Sequence, residues 1–465
     1  MSAETGADTG AVLPSTARAL LHEVATAQVA ARAPSLVAGV VRDGALVWSG
    51  GWGDVPGPVD DTQYRIGSIT KTLTAVTVLQ AVRDGLVDLE DRAATVVPEL
   101  AEHGHGEVRL RPLLAHTSGL ASEPTGEWWE RTPGTGFAAL LAANPGGPGA
   151  ASVLPPGQQF HYTNLAYAIL GEVVARLRGR PWWDVVRADV LEPLGMRRTT
   201  YLPVTPWSTG WSVHPYEGTL TPEPATDTGA MAPAGQAWST VADLARYAAF
   251  LAAGDDAVLP SPWLDLASHP VGGTRHARLS AAHGLGLQLL RGGSGVLRGH
   301  LGSMPGFQAA CLVDAPRRTG AVLLASSTTG TATAEVATRL LDVLAEREPT
   351  LPRPWRPAPR DLPAPVRDVV GVWHWGNTPY VVAVEGDDQQ VVVRRGAAAV
   401  HRFAVVDGAL VGVAGYHEGE TLHVRRRPDG SVSHLEVSTF VWTRTPYDPD
   451  APAPGGHPDA GASHS

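Results

Sequence analysis

The sequence predicts an α+β domain, an antiparallel sheet with packed helices plus an all-helical lobe, followed by a small all-β barrel or sandwich domain. Three observations lead there. Strand-like runs near both ends of the first 348 residues flank a mostly helical middle, a proline-rich stretch covers 349–365, and short β-rich runs then recur between turn residues. The expected organisation is a flexible N-terminus at 1–14, the α+β domain at 15–348, a linker at 349–365, the β domain at 366–447 and a disordered tail at 448–465.

The elements follow in order. Ser15 is expected to cap a helix through about Arg32, with Leu20, Leu21, Val24 and Ala27 on one face and Pro34 beyond its end. Leu36 to Arg42 and Ala45 to Ser49 form a hairpin about Asp43-Gly44, a pair that supplies positive φ at both turn positions. A helix starts at about Ser68 and runs to Asp84, where Gly85 ends it. Leu120 to Phe160, crowded with Gly, Pro and Trp, holds no sustained period and reads as long loops over a site. Thr163 to Arg178, Trp182 to Leu194 and Thr240 to Leu251 read as helices, the last with Thr240 and Asp243 at capping-box spacing.

Strands return at Gly284 to Arg291, Gly295 to Arg298, Phe307 to Val313 and Gly320 to Ser326, before a helix at Ala332 to Glu346. Past the linker, seven short runs between Val369 and Val441 predict the β domain, the last of them His434 to Val441.

Composition narrows the function. Of 465 residues, 43% are apolar and 18% charged, enough for a globular core. The 36 basic against 46 acidic residues leave a net charge of -10 without a basic run, which excludes nucleic acid as an expected partner. The one cysteine, Cys311, rules out internal disulfides and thiolate metal clusters and reads as a small buried hydrophobe. Met1 to Leu13 lacks the pattern of a signal peptide, and no apolar run reaches the roughly 20 residues of a spanning helix, so a cytoplasmic protein without membrane attachment is expected.

Lys71 is the only lysine; every other permanently cationic side chain is arginine. The difference is chemical, because a lysine shielded from water can lose its proton and an arginine cannot. Ser68 lies three residues earlier on the same predicted helix, and residues three apart share a face. Hydroxyl and amine can therefore meet, and a serine becomes a useful nucleophile once a neighbour takes its proton.

Two further stretches complete a pattern: Tyr162-Thr163-Asn164 in PGQQFHYTNLAY, and His300-Leu301-Gly302-Ser303, placed just before the strand at Phe307. With Ser68-Ile69-Thr70-Lys71 they resemble the penicillin-recognising serine hydrolases, the β-lactamase/transpeptidase-like families, nearest the class C β-lactamase, DD-carboxypeptidase and esterase branch. LLAHTSGL at Leu113 to Leu120, PAGQAWSTVADLARY at Pro233 to Tyr247 and HGLGLQL at His283 to Leu289 agree, and the resemblance spans about Ala30 to Ala345.

The resemblance implies Ser68 as nucleophile, Lys71 as base or proton relay, Tyr162 as a phenolic proton shuttle lowered by the Lys71 charge, and Asn164 as an orienting amide. It also implies an oxyanion hole from the backbone amides of Ser68 and Ser303. Where such enzymes carry Lys-Thr-Gly this chain has His300-Leu301-Gly302, so the cation and hydroxyl that grip a substrate carboxylate are missing. His300 is mostly neutral at pH 7 unless perturbed. That favours esters or small amides, with β-lactamase or DD-peptidase turnover and a non-catalytic binding protein on the same scaffold as the other readings. Family members with appended barrels also lead one to expect a barrel loop that narrows the pocket.

His300 and Gly302 are expected to touch substrate, and Trp128 and Trp129 are candidates for a pocket wall. No cofactor and no metal are called for: His103-Gly104-His105 lacks a third ligand and reads as a surface turn. His116 reads as supporting the fold, and Trp182 and Trp183 as core packing. Oligomeric state, acyl group and leaving group are not legible.

Overall fold

The computed structural model describes residues 11–147, 152–273, 281–293, 295–351, 354–355, 357, 362–386, 390–448 and 450–451. The tail predicted beyond 451, the first ten residues and much of the linker lie outside them. The chain divides into Met1–Thr350 and Leu351–Ser465.

The first unit is built on an eight-stranded antiparallel sheet drawn from both ends of its sequence. From one edge its strands are Ala45–Gly53, Ser35–Arg42, Thr319–Ala325, Phe307–Asp314, Val296–Met304, Gln288–Arg291, Ala281–His283 and Gly272–Gly273. The hairpin forms as predicted, with Asp43 at φ 49° and Gly44 at φ 86°. Successive side chains point to opposite faces, so Val37 and Val41 join one core while Leu36, Ala38 and Val40 join another. Ala309, Cys311 and Val313 alternate with Ala310 and Leu312 in the same way.

Helices Pro14–Ala31 and Thr333–Arg347 pack together, and the second core, with Leu20, Val24, Leu340 and Leu344, lies between them and the sheet. The opposite face carries the larger core and the helical lobe, including Thr70–Arg83, Leu165–Arg178 and Val241–Ala253.

Several boundaries differ from the sequence expectation. Ser15 is not a cap: the first helix begins at Pro14 with no side-chain cap, because proline at the first turn has no N–H to satisfy. The described part of the flexible start is tied down, Val12 donating to Val47 and Leu13 to Glu348. Within 120–160 a short helix, Phe137–Ala143, interrupts the loops. The helix from Trp182 ends at Val186 and continues as a π turn, Arg187–Leu191. Gly284 and Gly286, the latter at φ 80°, make a turn, so the strand expected from Gly284 begins only at Gln288, after a separate strand at Ala281–His283. His105 is buried and bonded to the Asn144 carbonyl, so His103 to His105 is not a simple surface turn.

The second unit opens with helix Ala364–Val369 and closes an eight-stranded barrel, its first strand Gly371–Trp375 pairing with its last, Phe440–Thr443. Eight strands replace the seven expected because the last run turns at Ser438, at φ 51°, into Val432–Val437 and Phe440–Thr443. Trp373, Phe403 and Trp442 fill its centre. Among the described residues, no helix is long and apolar enough to cross a membrane.

Candidate active site

Ser68 stands in a 3-10 turn, Gly67–Ile69, that runs straight into helix Thr70–Arg83. Its neighbour Gly67 has φ 52°, and a Cβ there would come within 2.6 Å of the Ser303 nitrogen. A Cβ on Gly302 would meet the Ile66 carbonyl oxygen at 2.0 Å. Only glycine allows the turn to close on strand Val296–Met304, and Ser68 and Ser303 thereby border one cleft of about 510 Å³.

Lys71 points back along the helix to place Nζ 3.0 Å from Ser68 Oγ, and Nζ also donates to the Ala234 carbonyl at 2.7 Å. Lys71 is fully buried whereas Ser68 is partly exposed to the cleft. Burial lowers the Lys71 pKa from 10.5 to about 7, against the opposing pull of Glu123 and Glu130. The same nitrogen lies 5.0 Å from the Tyr162 ring centre and 5.6 Å from that of Tyr167.

Tyr162 reaches Ser68 with its hydroxyl, but its pKa moves opposite to the sequence expectation. Burial raises it, and Glu123 and Glu130 raise it further; the hydrogen bond with Ser68 only partly opposes them. With Lys71 itself half-deprotonated near pH 7, its charge cannot offset that loss of hydration. The phenol keeps its proton at neutral pH.

Asn164 stands immediately before helix Leu165–Arg178 and donates Nδ2 to Glu123 Oε1 at 2.6 Å. Trp129 donates its indole N–H to the other Glu123 oxygen at 2.8 Å, and Trp128 donates to Glu130 at 2.8 Å. Trp129 packs within the core, Trp128 is exposed with the Arg131 guanidinium 4.1 Å above its ring, and neither borders the Ser68 cleft. The two tryptophans hold the carboxylates that act on Lys71; the sequence offered no periodic signal for Glu123 or Glu130.

The motif His300 to Ser303 precedes strand Phe307–Asp314 as expected, and it also lies on strand Val296–Met304, which pairs with that strand and runs past the Arg298 end read from the sequence. His300 is buried, and burial, followed by His283, lowers its pKa from 6.5 to about 3. His283 is lowered to about 4, chiefly by burial, and His116 well below its usual value for the same reason. The cleft beside Ser68 therefore presents neutral imidazoles, together with Gln288, Gln308 and Phe160, and no fixed cation among its described lining residues.

His116 stacks on Tyr162 at 4.2 Å between ring centres with the planes 26° apart, which fits its expected supporting role. His116, His283 and His300 each bring a nitrogen within 4.8 Å of the others. The Thr163 N–H donates to His116 Nδ1 at 3.1 Å, so the neutral ring carries its proton on Nε2, which has no partner. A metal ligand must offer a lone pair there, and zinc nitrogens at bonds of about 2.0–2.1 Å stand closer together than this spread. As arranged, the three rings do not fit a metal.

The model of the family described as Beta-lactamase matches residues 21–346. The chain belongs to the Beta-lactamase family. A second model, described as a domain of unknown function (DUF7586), matches residues 362–444. This Beta-lactamase family chain is 32% identical over 146 residues to penicillin-binding protein 4 of Amycolatopsis lactamdurans, covering 31% of this chain and 37% of that protein. It is 29% identical over 160 residues to the D-alanyl-D-alanine-carboxypeptidase/endopeptidase AmpH of Escherichia coli K12, covering 31% of this chain and 38% of that one. These matches span well under half the length of either curated relative. Among solved structures, a D-stereospecific amidohydrolase from Streptomyces sp. is 26% identical with a TM-score of 0.58, covering 72% of this chain and 99% of that one.

Proposed function

We propose that this chain is a serine hydrolase that cleaves ester or small amide bonds through an acyl ester on Ser68. The observation that carries the reading is a fully buried Lys71 amine, with a pKa of about 7, lying 3.0 Å from the Ser68 hydroxyl. Neutral Lys71 takes the hydroxyl proton as Ser68 Oγ bonds to the carbonyl carbon. The Ser68 and Ser303 amides donate to the oxygen as negative charge develops there. Tyr162, kept as a phenol, passes a proton to the departing alkoxide or amine, and Asn164, held by Glu123, orients the acyl group. The Lys71 ammonium returns its proton to Tyr162. Water then attacks the ester, neutral Lys71 takes the water proton, and Tyr162 passes one to the departing Ser68 oxygen and is reprotonated by Lys71.

The choice of substrate rests on the described residues that line the cleft. Neutral His300 and His283 cannot hold a carboxylate by charge, which favours uncharged esters and small amides over carboxylate-bearing β-lactams or peptides. The similarity to a D-stereospecific amidohydrolase supports the amide option. A cytoplasmic site of action belongs to the same reading, supported by Cys311 being the sole cysteine.

A fluorophosphonate probe or a p-nitrophenyl ester tests the proposal. The wild-type chain should be labelled and turn ester over; Ser68→Ala should lose the label and about 10⁶ in turnover. Equal labelling of the variant would remove Ser68 from its role.

A further inference from the structure

A second cavity of about 540 Å³ shares no lining residue with the Ser68 cleft and is bordered by Ala232 and Pro233 of the short helix Ala232–Gly235. Its walls include three aromatic rings in series. Trp182 and Trp183 stand 5.6 Å apart at 53°, and Trp183 and Tyr201 stand 5.7 Å apart at 64°. The charged side chains on its lining are both acidic: Glu172, which accepts from Arg176 at 2.8 Å, and Asp227, which lies in the field of Arg65. Tyr201 donates to Asp227 at 2.5 Å, holding ring and carboxylate together. The Trp182 indole N–H is buried and has no partner, although Trp182 is only 7% exposed.

These features specify a ligand. Angled aromatic faces attract a cation through their quadrupoles, most strongly when the cation is already poorly hydrated. The carboxylates at the same cavity, part of whose charge Arg176 and Arg65 offset, favour a cation and oppose an anion. An unpartnered buried indole N–H gains by meeting an acceptor, because leaving it without one costs free energy. We infer that this cavity is a second ligand site, for a small organic ammonium ion that carries a hydrogen-bond acceptor.

The cavity also has a direct path to the nucleophile. Its floor includes Pro233, against which helix Leu165–Arg178 packs so tightly that a Cβ on Gly171 would lie 2.1 Å from the proline ring. The Pro233 carbonyl accepts from Thr74 at 3.0 Å, and the next carbonyl, that of Ala234, accepts from Lys71 at 2.7 Å. A ligand pressing on Pro233 therefore moves the acceptor that sets the position of the Lys71 amine, and the rate at which Ser68 is acylated changes with occupancy.

The experiment uses the full chain with choline as probe and 3,3-dimethylbutan-1-ol, the same shape without charge, as control. Titration calorimetry should give one choline site and at least about tenfold weaker binding of the neutral alcohol. Choline should bind equally well after Ser68 has been blocked with a fluorophosphonate. Trp183→Ala should abolish binding, while Glu172→Gln and Asp227→Asn, which keep side-chain volume, should weaken it severalfold with unchanged melting temperatures. Trp182→Phe should weaken choline, which has a hydroxyl acceptor, more than tetramethylammonium, which has none. Equal affinity for choline and the neutral alcohol, or loss of binding on blocking Ser68, overturns the site. Binding that leaves the fluorophosphonate labelling rate of wild type unchanged overturns the path through Pro233.

Discussion

Lys71 and Tyr162 face each other at 5.0 Å from nitrogen to ring centre, yet burial drives their proton equilibria apart, the amine down to about 7 and the phenol up. Burial thereby shifts each group toward its neutral form, leaving the amine half-deprotonated near pH 7 and the phenol protonated. The pair divides acid from base in the way two titratable groups do when their environments differ. The amine is the group able to accept the Ser68 proton, and the phenol the one able to donate.

A base must be unprotonated, so kcat/KM for a p-nitrophenyl ester should rise with one-proton slope through about pH 7 and then level off. It should not fall between about pH 8 and 10, because Tyr162 remains protonated there. Lys71→Arg should be nearly as inactive as Lys71→Ala, since arginine keeps its proton. An alkaline fall near pH 9 would speak for phenolate chemistry instead.

Stability follows from the same burial. Lys71 has its folded pKa depressed below its unfolded one, so between about pH 7 and 10 the unfolded chain binds more protons and stability gains with rising pH. At pH 7 Lys71→Met, which fills the volume without the charge, should raise the melting temperature by about 2 °C or more, and the gap should shrink toward pH 10. A variant less stable than wild type at pH 7 would show that the bonds to Ser68 and Ala234 outweigh the cost of burying the amine.

Tyr162→Phe separates the hydroxyl from the ring. The ring still stacks on His116, so thermal stability should stay close to that of wild type. Turnover should fall about 10²- to 10⁴-fold, the range for a lost proton-transfer group. A loss below about threefold would remove Tyr162 from the proton path.

Gly302→Ala tests the close approach of turn and strand. The added methyl meets the Ile66 carbonyl at 2.0 Å and must push Ser68 and Ser303 apart. Acylation should slow at least about a hundredfold, as displacements near 1 Å do in active sites, with Lys71 and Tyr162 untouched. Unaltered labelling would mean that the two amides need not act together.

Much of the fold was legible because its signals are local. The Asp43-Gly44 turn, the Thr240 cap, whose side chain accepts from the Asp243 N–H, and the period-2 runs of the sheet depend on residues near in sequence. The strand ends were not: Gly284 to Leu287 has strand-like composition but turns at Gly286, and His300 to Ser303 joins a strand because Phe307–Asp314 pairs with it along its length. Trp128 and Trp129 illustrate the same boundary, since a sequence shows aromatic rings in a loop but not which carboxylates their N–H groups will meet.

By itself the sequence determined that this chain carries one lysine, three residues from a serine on one helix face, inside an ordered set of motifs. Helical spacing alone fixes that encounter, since neighbours three apart must share a side. Only the tertiary structure decided the protonation of Lys71, Tyr162 and His300. Those states depend on how completely distant segments exclude water from each group, and exclusion is a property of packed volume that no stretch of chain carries alone.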